Sequence, residues 1–150
     1  MNTSEKYEEF YNGGCMYKWS ICDPLIEDVI EKGDIHKDDI IDTFTNFPWQ
    51  EMLNKLEGAR EEEVCYSPSL EFRDEISGRG ITFSAVKEGA GYCFYVFFKR
   101  PEVVSKLFGL RKVEDPDYVS DILDQSTESS LELLSKFVSG NYEELRLKFG

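Results

Sequence analysis

The residues with the most obvious chemical potential are one histidine and four cysteines. His36 lies in a charged stretch, Asp34-Ile35-His36-Lys37-Asp38-Asp39, with no nucleophile at a recognisable spacing for it to activate. The cysteines stand at positions 15, 22, 65 and 93 without a Cys-x-x-Cys pair, whereas a structural zinc site needs about four clustered ligands. The sequence therefore predicts a surface histidine, no metal site, no cofactor and no catalytic residue.

Acidic side chains form two runs that could bind a positively charged partner. Neither run has the alternating ligands and mid-loop glycine of a calcium loop. Two interpretations stay open: an anionic surface that pairs with a basic protein or mimics nucleic-acid phosphates, and a solvated helix face of no special function. The residues concerned are Asp38, Asp39 and Asp42 in the first run and Glu61, Glu62 and Glu63 in the second.

The overall charge narrows the class of partner. The chain of 150 residues has a net charge of -13, and both of its ends are acidic while residues 64–112 carry a small excess of basic side chains. Nucleic acids and anionic membrane surfaces attract clustered Lys and Arg, so neither is expected as a partner. A basic protein is expected, because complementary potentials steer association.

The first third of the chain reads as helices. Gly13-Gly14 is expected to end a first helix, Asp23-Pro24 resembles an N-cap followed by proline at the first helical position, and Asp34 is expected to cap a third helix. Pro48 opens the clearest amphipathic pattern, with apolar residues at i, i+3, i+4 and i+7. These apolar positions are Trp49, Met52, Leu53 and Leu56, and those of the first helix are Tyr7, Phe10 and Tyr11.

The middle of the chain reads as strands over residues 70–73, 81–87 and 92–98. Residues 92–98 are apolar on both faces, which predicts a central strand covered on both sides and favours a core over a base-stacking platform, since such a platform needs a basic groove. Gly89-Ala90-Gly91 and Ser77-Gly78-Arg79-Gly80 are predicted turns between strands. Pro101 is expected to end the third strand, residues 103–108 fit a short helix ending at Gly109, and residues 118–123 fit a fourth strand.

The last segment reads as a helix capped by Ser126 or Thr127 and a short final helix capped by Asn141. The expected fold is therefore one α+β domain over residues 1–150, in which an antiparallel sheet of three to four strands packs with N-terminal and C-terminal helices. The start of the chain lacks a signal peptide, and no apolar run approaches about 18 residues. A reducing cytoplasm is the expected compartment.

Several short segments resemble small immunity-type proteins of bacterial polymorphic toxin systems. The resemblance covers about residues 47–110 and consists of core and turn residues. It implies a protein that binds and neutralises a cognate toxin and that has no catalytic residues. The segments are Phe47-Pro48-Trp49-Gln50, Ser67-Pro68-Ser69-Leu70, Gly80-Ile81-Thr82-Phe83-Ser84-Ala85 with its pairing partner Tyr92-Cys93-Phe94-Tyr95-Val96, and Arg100-Pro101.

The leading hypothesis is an immunity protein that covers a toxin's active site. The two acidic runs would face a basic cleft, and aromatic residues such as Tyr11 and Trp19 would anchor the contact, since interface hot spots favour Trp and Tyr. The alternative is a small-molecule sensor or regulatory module with a pocket between sheet and helices. An enzyme ranks last, and two carboxylates converging in a deep pocket would revive that reading.

Overall fold

The computed structural model describes residues 16–150, which contain an antiparallel sheet of six strands. The strand order is β2-β1-β3-β4-β5-β6, and every neighbouring pair is antiparallel. The sequence predicts three to four strands, so the sheet is larger than expected. The strands are β1 (Met16–Cys22), β2 (Ile30–His36), β3 (Ser69–Asp74), β4 (Arg79–Glu88), β5 (Gly91–Lys106) and β6 (Arg111–Gln125).

Four helices lie in the described part of the chain, which confirms the α+β class. Two precede β3 and two follow β6, and a single 3-10 turn spans Glu61–Glu63. Among the described residues, no helix combines the length and apolar character needed to cross a membrane. The helices are α1 (Lys37–Asn46), α2 (Trp49–Glu57), α3 (Thr127–Val138) and α4 (Tyr142–Phe149).

All four helices pack on the same face of the sheet through aromatic side chains. Pairing places the contacted strand residues on one face, because side chains alternate along each strand. This face, filled by phenylalanine side chains on β3, β4 and β5, forms the core. The ring pairs, by centroid distance, are Phe44–Phe83 at 4.8 Å, Trp49–Phe94 at 4.8 Å, Phe137–Tyr17 at 5.7 Å and Phe149–Phe98 at 5.5 Å.

The opposite face of the sheet corrects the prediction for residues 92–98. Phe94, Val96 and Phe98 are fully buried beneath the helices, whereas Tyr95 and Phe97 point to the other face and stay partly exposed. Strand β5 lies next to the edge strand β6 and not at the centre of the sheet. Strand β5 therefore has apolar residues on both faces, although helices cover only one of these faces in the described residues.

A loop over residues 23–29 and strand β2 replace the helix predicted from Asp23-Pro24. Asp23 caps a turn instead: its Oδ1 accepts a 3.0 Å hydrogen bond from the backbone N–H of Leu25, and its Oδ2 pairs with Lys55 Nζ of α2 at 2.8 Å. Aspartate stabilises such turns as readily as it caps helices. The next helix begins with His36 as N-cap, two residues after the predicted Asp34. The helix predicted over Tyr7 to Tyr11 lies outside the described residues.

The hairpin formed by β5 and β6 corrects two further predictions. Strand β5 continues through Pro101 to Lys106, and the pairing with β6 shifts register between Arg100 and Glu102. A register shift accommodates proline, which has no N–H to donate to the ladder. The helix expected over residues 103–108 is absent from this hairpin, and residues 107–110 form its turn.

The predictions for α2, the two turns and the last helices are confirmed. Helix α2 begins after Pro48 and ends at Gly58. Gly78 and Gly89 adopt positive φ in the turns before β4 and β5. Ser126 caps α3 by accepting a 3.0 Å hydrogen bond from the backbone N–H of Ser129. Asn141 occupies the N-cap position of α4 without a side-chain hydrogen bond to the helix.

Candidate functional site

The predicted acidic run on α1 forms a stripe along one exposed helix face. Asp42 lies four residues after Asp38 and three after Asp39, spacings that bring side chains onto the same face of a helix. All three carboxylates are exposed. Asp38 pairs only with His36 Nδ1 at 3.4 Å, and within residues 16–150 neither Asp39 nor Asp42 forms an ion pair. We call these three residues the α1 acidic stripe.

The second acidic run is partly neutralised by a neighbour. Arg60 Nε donates a 2.6 Å hydrogen bond to Glu63 Oε1, and its Nη1 lies 3.7 Å from Glu62 Oε1. Only Glu61 of this run makes no ion pair with a described residue. No hydrogen bond or ion pair joins this 3-10 turn to the α1 acidic stripe in the part of the chain that the structure describes.

Trp19 lies at the edge of the core. Its ring stacks on Phe72, with centroids 6.4 Å apart and an interplanar angle of 17°, and Lys32 Nζ lies 5.7 Å from its centroid on the neighbouring strand. The indole is partly buried on the helix-bearing side. These contacts hold the partly exposed Trp19 in the fold. Tyr11, the other aromatic anchor predicted from the sequence, lies outside the described residues.

His36 has a structural task at the start of α1. Its Nδ1 accepts a 3.2 Å hydrogen bond from the backbone N–H of Asp38, as an N-cap side chain does. Because this nitrogen must be deprotonated to accept, it is unavailable as a general base while the cap is intact. Asp38 and Asp39 in the first turn complement the positive end of the helix dipole.

Among residues 16–150, one mixed cluster of possible metal ligands is present, formed by Glu88, Cys93 and Asp124. Their donor atoms lie within 4.8 Å of one another, and the Cys93 thiol donates to Asp124 Oδ1 at 4.0 Å. Burial, followed by the Glu88 carboxylate, raises the pKa of Cys93 to about 11. A protonated thiol is neither a nucleophile nor a metal ligand. The cluster thus has the donors of a cation site, and a cation that binds the sulfur would have to displace the thiol proton.

A shallow cleft separates α2 from the hairpin of β4 and β5, which is where the alternative hypothesis expects a pocket. Its volume is about 380 Å³, within the usual range for small ligands of about 300–1,000 Å³. Leu53 and Leu56 contribute apolar lining, and Lys87 Nζ pairs with Glu57 Oε1 at 2.9 Å beside it. This cleft contains no pair of converging carboxylates.

The tip of the β5–β6 hairpin is a feature that the sequence analysis assigned to a helix. Its turn carries three apolar side chains in a row broken only by Gly109, and Phe108 is fully exposed to solvent. Basic residues flank the turn on both sides. The motif Lys106-Leu107-Phe108-Gly109-Leu110-Arg111-Lys112 is visible in the sequence, and its lack of acidic residues in an acidic chain is the signal that could have identified it.

These features define an α+β protein with a six-stranded antiparallel sheet, helices on one face, and charged or apolar groups displayed at its surface. Comparison of the chain with protein-family models, with curated proteins and with solved structures finds no match in any of the three.

Proposed function

We propose that this chain is a non-catalytic binding protein, an immunity-type protein that neutralises a cognate bacterial toxin in the cytoplasm through an acidic surface. The observation that carries the proposal is the α1 acidic stripe. Asp39 and Asp42 have no cationic partner among the described residues, and Asp38 lies near only His36, whose Nδ1 accepts the cap hydrogen bond and so is not a cation. Such a stripe is available for a basic partner without first breaking an internal ion pair.

The position of Asp42 supports a role in binding over a role in folding. Asp38 and Asp39 stabilise the helix start, but Asp42 lies in the second turn of α1, where the dipole contributes little. Like charges spaced three or four residues apart on a helix are destabilising by about 0.2–0.5 kcal/mol. Asp42 therefore lowers helix stability slightly, and its proposed role is to pair with a cation outside the helix.

The test is a capture experiment that compares the wild-type chain with a variant of the α1 acidic stripe and with a control variant elsewhere on the surface. The tagged full-length chain is incubated at low salt with lysate of cells that carry its natural gene neighbourhood. We expect one stoichiometric basic protein that elutes as salt rises, because exposed charge pairs are screened. D38K/D39K/D42K should lose it, whereas E128K/E132K, an acidic pair spaced four residues apart on α3, should retain it.

The captured protein must also be toxic for the proposal to hold. Its expression alone should arrest growth of a test strain, and co-expression of the wild-type chain should restore growth while D38K/D39K/D42K should not. Equal capture by wild type and D38K/D39K/D42K would remove the stripe from the argument. A captured protein that is harmless when expressed would remove the immunity function and leave a binding protein of another kind.

A second candidate is a small-molecule sensor or regulatory module, which the cleft beside α2 favours. Leu53, Leu56 and Ala85 give it an apolar wall, and Gln50 offers an amide for orientation. Native mass spectrometry of the freshly purified chain should reveal a retained ligand, and L56W, which fills the cleft, should abolish it. An apo mass for the wild-type chain, together with no ligand-dependent shift in Tm, would eliminate this candidate.

A further inference from the structure

The hairpin of β5 and β6 extends beyond the rest of the sheet. Strand β4 pairs with β5 only as far as Lys99, whereas β5 and β6 remain paired to Lys106 and Arg111. At about 3.3 Å per residue, the turn lies about 20 Å along the ribbon from Glu102. Glu102 itself is held at the base by Arg100 and by Arg146 of α4. The tip therefore projects from a fixed base.

Phe108 and Leu110 at the tip are the most exposed large apolar side chains among the described residues, and Leu107 beside them is also largely exposed. Phe108 is fully exposed, Leu110 is 88% exposed and Leu107 is 65% exposed. Leu107 and Phe108 have φ of 54° and 58°, a left-handed conformation that asparagine or glycine adopts at much lower cost. The chain thus places large apolar residues in solvent at positions where polar turn residues would fit better.

Three cations surround these side chains without internal partners. Within residues 16–150, Lys106, Arg111 and Lys112 make no ion pair and no side-chain hydrogen bond. Residues 103–113 contain no acidic residue, so this segment carries a charge of +3 inside a chain of net charge -13. The nearest acidic residues along the two strands are Glu102, which is already paired, and Glu114.

We propose that this hairpin tip binds the surface of an anionic lipid membrane, with Leu107, Phe108 and Leu110 entering the interface and the three cations contacting lipid headgroups. Exposed apolar residues combined with basic neighbours supply the two signals that peripheral binding needs. A lipid surface accepts apolar groups projecting from a convex tip, whereas a protein partner would have to supply a matching concave pocket.

The negative charge of the whole chain does not prevent this contact. The Debye length is about 8 Å at physiological ionic strength, and the tip stands about 20 Å from the base of the ribbon. Most of the acidic body is therefore screened from a membrane that touches the tip. The net charge of the chain argues against binding to anionic membranes only if the charge is spread evenly over the surface, and at the tip it is not.

The test is co-sedimentation of the full-length chain with vesicles. The probes are phosphatidylcholine vesicles and vesicles with roughly 30% phosphatidylserine. We expect binding only to the anionic vesicles, with loss at high salt. F108S/L110S should abolish it. Replacing the three cations in K106Q/R111Q/K112Q should weaken it about a hundredfold, since each basic residue near an anionic surface contributes about fivefold. L147S, which removes another largely exposed leucine, on α4, should bind as the wild type does.

Fluorescence gives a second measurement that does not depend on the weight of the complex. In F108W, the emission of the new indole should shift to shorter wavelength when anionic vesicles are added, because the residue leaves water.

No sedimentation of the wild-type chain with anionic vesicles, or undiminished binding by F108S/L110S, would overturn the proposal. Loss of a protein partner in F108S/L110S, without vesicle binding by the wild type, would also overturn it and assign the tip to a protein pocket. The vesicles contain no protein, so their outcome leaves the toxin-binding proposal untouched.

Discussion

The phenolic hydroxyl of Tyr142 donates a 2.8 Å hydrogen bond to Oδ2 of Asp74. Tyr142 begins α4 and Asp74 ends β3, so the bond fixes the last helix of the chain to a turn of the sheet. Oδ1 of the same aspartate accepts hydrogen bonds from the backbone N–H groups of Ile76 and Ser77. Burial and the adjacent groups, Asp74 among them, raise the pKa of Tyr142 far above its usual value. One carboxylate thus organises both the turn and the helix contact.

Replacing Tyr142 by phenylalanine should lower the free energy of unfolding by about 1.5–3 kcal/mol, the usual contribution of a hydrogen bond to a charged group. Urea denaturation of Y142F measures the loss. The matched control is Y66F, whose hydroxyl donates to the backbone carbonyl of Glu27 at 2.7 Å in an exposed position. Water can replace that partner, so Y66F should cost less. Equal losses in the two variants would show that the hydrogen bond to Asp74 contributes no more to the free energy of unfolding than an exposed one does.

Alanine substitutions at two of the aromatic residues of β5 should show that the two faces of the sheet contribute differently to stability. Phe94 is fully buried and its ring lies 5.2 Å from that of Phe44 and 4.8 Å from that of Trp49. F94A should therefore cost about 3–5 kcal/mol. Phe97 points to the opposite face and stays partly exposed, so F97A should cost clearly less. Urea midpoints test the pair, and comparable shifts would mean that both faces are packed.

The elements that sequence reasoning predicted are those in which local pattern and tertiary packing agree. Helix α2 has proline before it, glycine after it and apolar residues at helical spacing, and its Trp49 fills the core as expected. Strand β4 alternates apolar and polar residues, and its Ile81 and Phe83 are fully buried. The apolar residues of α2 fit only the helical period and those of β4 fit only the strand period. Packing against neighbouring elements therefore stabilises the same structure that the local pattern predicts.

The elements that were missed are those in which a local signal has two meanings. Asp23-Pro24 satisfies the pattern of a helix N-terminus, but Asp23 caps a turn because Lys55 of α2 holds its carboxylate. Pro101 ends most strands, but here a register shift admits it. Both outcomes depend on residues distant in sequence. The candidate site behaves likewise: exposure of Asp38 and Asp42 follows from the helix pattern, whereas the neutralisation of Glu63 by Arg60 depends on side-chain geometry.

Glu102 should make the stability of the fold depend on pH. Hydrogen bonds from Arg146 and then from Arg100 hold the pKa of Glu102 below its usual value of 4.5. A carboxyl whose pKa is lower in the folded state stabilises the fold fully above its usual pKa, and this contribution is lost as the pH falls through the folded value. The difference in unfolding free energy between the wild type and E102Q should be largest near about pH 7 and should shrink below about pH 4.5.

Urea denaturation of the two proteins at a series of pH values measures that difference. E114Q is the control, because Glu114 lies on the neighbouring strand β6 and makes no ion pair in residues 16–150. Its difference from the wild type should stay near zero throughout. A difference for E102Q that is constant with pH, or that grows as the pH falls, would contradict the assigned role of the two arginines.

The cysteines should differ sharply in reactivity towards a thiol reagent such as Ellman's reagent. Cys65 is exposed, whereas Cys93 is buried and its pKa is raised to about 11. Compared with a thiol at the usual value of about 9, this shift lowers the thiolate fraction at pH about 8 roughly a hundredfold, and burial slows access further. In a C15S background, which removes the thiol outside the described residues, the exposed Cys65 should react rapidly and the half-buried Cys22, whose pKa is raised by burial, should react more slowly. C65S should abolish the fast phase. Cys93 should react only in denaturant. Rapid labelling of Cys93 in the native protein would mean that the strand holding it opens readily.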